Sequence, residues 1–571
     1  MFLTPQARID SYTAKGWWGH LTVDDLLQRN RAEIGAQMAL IDPANRLALD
    51  GHAPRRLTWA ELGDEVDRYA AALLASGLNK DDIICAQPPN LVEGVVLVLA
   101  CARIGLILSP VVMQYRHHEL DYILDLLKPA AFVTVAQFAG HQHAQMGLEI
   151  TSPALPFKVM TLTGHAPEGA IDLAALAAKS DISAVEAYRA AHPLKSGEVF
   201  TVCWTSGTES RPKGVPRDHN HWIVNGKVVT EAADLQEGEI ILNPFPLVTI
   251  AALGIAMAWM WRRGTMVLHH PFDLSVFLHQ IAQEKVNYTI APPAILNMLL
   301  KNKALQDQTD LRTVRAIGSG SAPLSPWMIE GFLREHNIQV CNIFGSNEGA
   351  SLFSGPTHVP DPTDRARFFP RFGADGVDWD GETARIIRTR IVDIATEQDI
   401  TRPGQAGELR IDGASTISSY FRSPQLDSAA FDSRGFFKTG DLFEIAGEGE
   451  LAKYYRFVGR CKDIIVRGGV NISPAEIDDL LTGLPQVKEA AVIGLPDEML
   501  GERMCLVVVP NGAAPSLADA KAWLEKSGLA VFKLPERIVA VDALPRNAMN
   551  KVMRTELRDQ VLAMLATGGG G

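Results

Sequence analysis

Short apolar, β-branched runs alternate along this chain with segments of helical period, from about residue 57 to residue 344. That alternation predicts parallel α/β layers, because a strand covered on both faces reads as a continuous apolar run. A helix is expected over Val23–Ala36. Thr58 reads as the N-cap of another, with Glu61 three residues on; it runs to about Leu74, with Gly77 as its stop. A strand at 82–86, an apolar helix over Val92–Ile104 ending at Gly105, and a strand at 106–112 follow. The same rhythm returns with strands at 265–268, 288–291, 314–317 and 339–344, and helices at 275–285 and 294–300. The tryptophans Trp17 and Trp18 read as packing residues.

From 360 to 460 the pattern breaks into short β-like runs (388–394, 407–411) among glycines, prolines and charges, which predicts a small β subdomain. After 459–463 it restarts: a strand at 464–467, a helix over Pro474–Leu481, strands at 489–495 and 504–510, and a helix over Leu517–Lys526. This second unit is α+β and of ordinary domain size. The expected fold class is therefore α/β, with a large N-terminal domain of layered α/β subdomains plus a β subdomain (1–459), and a small α+β C-terminal domain (464–567). Residues 460–463 join them, and 568–571 read as a flexible tail.

Composition removes several function classes. At 571 residues the chain can bury more than one core. A formal net charge of −12 argues against a nucleic-acid partner. The six cysteines are scattered without a Cys-x-x-Cys pair, which fits core thiols in a reducing compartment. The longest apolar runs are too short to span a bilayer. These features read as a cytoplasmic protein without membrane insertion, and a homodimer is left open. His117-His118, His141 with His143, and His269-His270 lack the company of a metal site and read as surface or loop histidines; Asp273 reads as a helix cap.

The chemistry concentrates after Val199–Trp204, a strand-like run that opens into Thr205-Ser-Gly-Thr-Glu-Ser-Arg-Pro-Lys213. Hydroxyls, backbone N–H groups, a lysine and the permissive Gly207 in one loop suit a polyphosphate. It is not a Walker A loop, because Pro212 and Gly214 flank Lys213. An ordinary polar surface loop is the competing reading. The whole string, however, resembles the signature phosphate loop of the adenylate-forming enzymes, the superfamily of acyl-CoA synthetases, peptide-synthetase adenylation domains and luciferases. Glu209 and Ser210 stand where that family usually has Thr-Gly.

Further segments match the family's motifs in order. Gly318-Ser-Gly-Ser-Ala-Pro-Leu324 resembles the loop beside adenine, so Gly320, Ser321, Ala322 and Pro323 are implied at the nucleotide. In Asn342-Ile-Phe-Gly-Ser-Asn-Glu-Gly349 the resemblance places Asn342, Ile343, Phe344, Gly345 and Ser346 around the nucleotide. Phe344 is the adenine-stacking ring, Asn347 replaces the threonine that meets the α-phosphate, and Glu348 is the Mg²⁺ carboxylate. Asp441 resembles the aspartate that accepts from both ribose hydroxyls, with Phe457 and Arg460 beside it and Lys462 at the hinge. Pro545-Arg-Asn-Ala-Met-Asn-Lys-Val-Met-Arg554 resembles the motif of the catalytic lysine, here Lys551, with Asn550 for the usual glycine. Gly468 and Gly469 fall where the family lines its thiol tunnel.

The resemblance implies ATP, Mg²⁺ and coenzyme A as reactants and cofactors, with Lys551, Glu348 and Lys213 in catalytic roles. The acyl pocket should draw on Phe245, Leu247, Thr249 and Gly254, with Gly320 and Gly349. The segment 243–254 holds no charge, which favours an apolar aryl, alicyclic or medium-chain acid. The chain reads most like the branch holding cyclohexanecarboxylate-CoA ligase and 2,3-dihydroxybenzoate-AMP ligase. The expected activity is an acid:CoA ligase; loading of a carrier protein is the alternative, and a non-catalytic nucleotide-binding relative the alternative of another class.

Overall fold

The computed structural model describes residues 1–205, 212–320, 323–467, 470–497, 499–527, 529–547 and 551–566. Local chemistry sets its helix ends. Thr58 Oγ1 accepts from the Glu61 backbone N–H while the Glu61 carboxylate accepts from the Thr58 N–H, so Trp59–Ala75 starts on a two-way cap. Val92–Ile104 is buried along its whole length and stops at Gly105. Asp273 caps Leu274–Glu284 by accepting from the Val276 N–H, as the sequence suggests.

Four sheets organise the strands. A seven-stranded sheet runs in the order Ile171–Asp172, Lys158–Thr161, Ala131–Thr134, Ile83–Ala86, Ile107–Pro110, Val199–Trp204, Gly214–Asp218. It is parallel except for the last hairpin. An eight-stranded sheet runs from Ser351–Ser354 through Gln339–Gly345, Ala316–Gly320, Tyr288–Ile290, Ile240–Asn243, Thr265–Leu268 and Met38–Ile41 to Arg56–Thr58. Only its two edge pairings are antiparallel. Parallel interiors with antiparallel edges are what buried βαβ layers produce. The β subdomain is a five-stranded antiparallel sheet: Phe368–Pro370, Tyr454–Arg460, Phe437–Ile445, Gly407–Gly413, Ile387–Val392. The C-terminal sheet pairs Val487–Asp497 with Gly501–Pro510 and adds Arg537–Ala540 in parallel. Its two core clusters draw on buried residues between Ile465 and Val561. Among the described residues no helix is long and apolar enough to cross a membrane.

Two expectations need correction. The strand expected at 314–317 forms instead as Ala316–Gly320, running through glycines assigned to a loop. Gly318 and Gly320 pair with Cys341 and Ile343 of the next strand, so these glycines serve close strand packing before the turn begins. His143 sits buried in the helix His143–Ile150 rather than on the surface or in a loop, whereas His269 and His270 lie in a loop as expected, though buried. His143 Nδ1 lies 2.8 Å from Gln87 Oε1, and His269 Nδ1 lies 2.8 Å from Gln280 Oε1. Amide partners of this kind let a neutral imidazole sit in the core. Burial pulls His143 down to about 3 and His270 to about 4, so both are neutral.

Candidate nucleotide and acyl site

The fully buried strands Val199–Trp204 and Gly214–Asp218 form the hairpin whose connection is the candidate phosphate loop. Its neck is closed by two bonds: the Thr205 N–H donates to Lys213 O (3.1 Å), and the Lys213 N–H donates to Thr205 Oγ1 (3.0 Å). A buried hairpin thus fixes the backbone from which Lys213 projects. Ser206, Gly207, Thr208 and Glu209 lie outside the described residues, as do Ser321, Ala322, Gly468 and Gly469.

Lys213 Nζ sits 5.2 Å from the centre of the Tyr420 ring, and the Tyr420 hydroxyl donates to Glu348 Oε1 at 2.8 Å. One aromatic side chain therefore touches both the candidate phosphate cation and the candidate metal carboxylate. Burial, then the Glu348 charge, pushes the Tyr420 hydroxyl well above its ordinary pKa, so it stays a donor. Tyr420 escaped the sequence reading; a tyrosine in Ser-Ser-Tyr-Phe carries no chemistry until the fold brings it to Glu348. Among the described residues no group of three or more His, Cys, Asp or Glu could hold a metal ion. Glu348 is a lone buried carboxylate, a donor set that fits a cation carried in on phosphate oxygens.

Gln339–Gly345 delivers the adenine segment. Phe344 meets Phe443 edge-on at 5.1 Å, and Phe457 meets Phe443 at 5.4 Å, so both rings stand on the β subdomain core. Ile343 pairs with Gly320, and the Ser346 N–H closes the turn by donating to Ala350 O. Asn342 turns away: its amide donates to the Arg365 and Ala366 carbonyls. Asn347 Nδ2 donates to Trp204 O (2.6 Å) and its Oδ1 accepts from the Ile250 N–H (3.3 Å). The amide expected at the α-phosphate thus ties the phosphate-loop strand to the helix of the acyl segment. Arg217, fully buried, donates to Asn347 O at 3.1 Å and lies 4.7 Å from the Trp222 ring. Burial brings its guanidinium down to about 10, still charged at neutral pH.

Asp441 and Arg460 face each other across paired strands, with Arg460 Nε 3.3 Å from Asp441 Oδ1. Burial raises Asp441 to about 6, against the lowering pull of Arg460 and Lys551. Lys551 in turn is lowered by burial and then by Arg460, while Asp441 opposes. These mutual effects put the C-terminal lysine within the electrostatic field of the candidate ribose pair. Its loop is braced: the Lys551 N–H donates to Asn547 Oδ1 (3.0 Å), Arg546 pairs with Glu489, and Arg554 pairs with Asp478. Lys462 lies in the turn closed by the Asp463 N–H on Arg460 O.

The residues expected at the acyl pocket are held by several elements. Asn90 clamps the segment by donating to Phe245 O (2.7 Å) and accepting from the Leu247 N–H (3.0 Å). Thr249 Oγ1 caps Ile250–Trp261 by accepting from the Ala252 N–H. Leu247 faces a wholly apolar cavity shared with Val95, Val98, Leu253 and Met257. Gly254 lies against Asn225 and Gly349 against Ser415, two residues that line a second cavity together with Ser351. Gly349 has φ +90°, and a Cβ there would lie 1.8 Å from Ser415 O, so only glycine fits beside Glu348.

The family model described as "AMP-binding enzyme" matches residues 37–421, and "AMP-binding enzyme C-terminal domain" matches 476–551. The chain is 26% identical to a 2,3-dihydroxybenzoate-AMP ligase of Bacillus subtilis (strain 168), over 99% of this chain and 98% of the relative. It is also 26% identical to a medium-chain fatty-acid–CoA ligase of Escherichia coli (strain K12), over 98% of this chain and 94% of the relative. The crystal structure of ATP-bound MatB from Rhodopseudomonas palustris matches with a TM-score of 0.78 and 27% identity, covering 95% of this chain and 99% of that one.

Proposed function

The chain belongs to the AMP-binding enzyme family, and on that premise we propose that it is an ATP-dependent carboxylic acid:coenzyme A ligase acting on an aryl, alicyclic or medium-chain acid. It is an AMP-forming ligase, and ATP, Mg²⁺ and coenzyme A are the family's reactants and cofactors. A carboxylate oxygen attacks the α-phosphorus, the bond to the bridging oxygen breaks, and pyrophosphate leaves with the electron pair. A thiol sulfur then attacks the acyl carbonyl, AMP leaves, and the thiol proton passes to the medium. In the first step negative charge builds on the phosphates, where fixed cations lower the barrier. Lys213 and the loop N–H groups would hold the β- and γ-phosphates, Asp441 the ribose, and Lys551 the reacting carboxylate and α-phosphate. Glu348 would hold Mg²⁺, which when bound draws charge from the phosphate oxygens.

The observation that supports this reading best is the Asp441–Arg460 pair, 3.3 Å apart, with the buried Lys551 of the C-terminal unit near enough for its charge to act on Asp441. The test is acid-dependent exchange of labelled pyrophosphate into ATP across benzoates, cyclohexanecarboxylates, linear acids and amino acids. Lys551→Ala is expected to lower exchange by about 10²–10³ and to spare thioester formation from preformed acyl-AMP. Equal loss in both halves would remove Lys551 from the first step. Coenzyme A is then added against a pantetheine-bearing carrier protein. The carrier protein is the second acceptor to be measured.

A further inference from the structure

The second cavity, of ≈ 10 Å³, mixes polar and aliphatic walls: Asn225, Ser351 and Ser415 face Val228, Ile386 and Ile387. Asn225 is 4% exposed, and neither its amide nor the Ser351 hydroxyl has a hydrogen-bond partner among the described residues. Neighbouring hydroxyls are already committed. Thr383 Oγ1 donates to Glu231 (2.6 Å), and Ser415 Oγ donates to Gly349 O (2.9 Å). Buried amides are ordinarily paired, so an amide left open marks a place where something else binds. A void of this size takes about one water, and that water can be displaced without loss by a ligand group that reproduces its bonds.

The cavity lies where the acid should end. A Cβ on Gly254 would lie 2.1 Å from Asn225 Oδ1, so Asn225 presses directly on the acyl-segment helix. Ser415 packs on Gly349, the residue after Glu348, and Ser351 follows two positions on. An amide offers both a donor and an acceptor, a hydroxyl the same. No charged side chain is among the lining residues. We infer that the acid activated by this chain carries a neutral hydroxyl or carbonyl group on an apolar body, read by the Asn225 amide and the Ser351 hydroxyl. This rests on the adenylation reading and narrows it, away from plain hydrocarbon acids.

The experiment uses matched acids in the pyrophosphate-exchange assay with the full chain: benzoate against its hydroxy- and acetyl-substituted forms, cyclohexanecarboxylate against its hydroxylated forms, and octanoate against hydroxyoctanoates. Wild type is expected to favour one substituted member by about 10–100-fold in kcat/KM. Asn225→Ala and Asn225→Val are expected to bring that ratio close to one, with AMP binding retained as the check on folding. Asn225→Ser, which keeps a donor and an acceptor, is expected to retain part of the preference. Equal use of both members by wild type, or a preference that survives in Asn225→Ala, overturns the inference and leaves adenylation standing. Failure of every acid to support exchange, while ATP still binds, overturns both.

Discussion

Tyr420 holds a position that can be tested one atom at a time. Its ring lies against the Lys213 ammonium and its hydroxyl donates to Glu348. Tyr420→Phe keeps the ring and deletes the donor, so it should raise the Mg²⁺ concentration for half-maximal exchange by about 10–100-fold, the usual cost of losing an outer partner of a metal ligand. Tyr420→Leu should also raise the KM for ATP; an unchanged Mg²⁺ requirement in the phenylalanine variant would mean that Glu348 holds its position unaided. Asp441 makes a prediction in pH. Its folded pKa, about 6, lies above the unfolded value of 3.8. The stability it contributes is therefore fully present below the unfolded value and lost as pH rises through about 6. Nucleotide binding should have the opposite sign, because in the role proposed for Asp441 only the carboxylate would accept from both ribose hydroxyls. AMP affinity should fall as pH drops below about 6, by up to about tenfold per pH unit, and Asp441→Asn should flatten that limb in a titration.

Elements were legible where their signals are local. The Thr58–Glu61 cap, the Gly105 stop and the Asp273 cap depend on residues three or four apart, and each lies where the sequence places it. Signals that depend on distant partners were not legible. Tyr420 meets Glu348 across 72 residues, and His143 meets Gln87 across 56. Gly318 and Gly320 resemble a turn in sequence and became strand because Cys341 and Ile343 pair with them in register, and Tyr288 and Ile343 crowd the space a Cβ would take. Asn342 and Asn347 were named from a motif, yet only tertiary contacts decide what their amides bond. The helix Ile250–Trp261 gives a test at this scale. Thr249→Ala removes its cap and should cost about 1 kcal/mol, visible as a lower denaturation midpoint, whereas Thr249→Ser should restore it.

At the scale of the whole molecule, the C-terminal unit has its own cores and, among the described residues, meets the rest through features that include the helix Pro474–Leu481 against the strand Tyr454–Arg460 and the Ser473 hydroxyl on Val458 O. The hinge role that the resemblance implies for Lys462 would have that unit turn about residues 460–463 between the two half-reactions. Lys462→Pro fixes one backbone torsion in the Arg460–Asp463 turn. It should slow thioester formation from acyl-AMP more than pyrophosphate exchange; single-turnover rates for each half read the difference, and equal slowing would speak against a pivot there. Asn347 has a consequence at this scale too. Its one amide fastens the strand that leads to the candidate phosphate loop and the first turn of the helix in the proposed acyl segment. A ligand that stiffens one end lowers the entropy left for the other to remove, so the two substrates should bind synergistically. By thermodynamic reciprocity, the factor by which the acid tightens ATP equals the factor by which ATP tightens the acid.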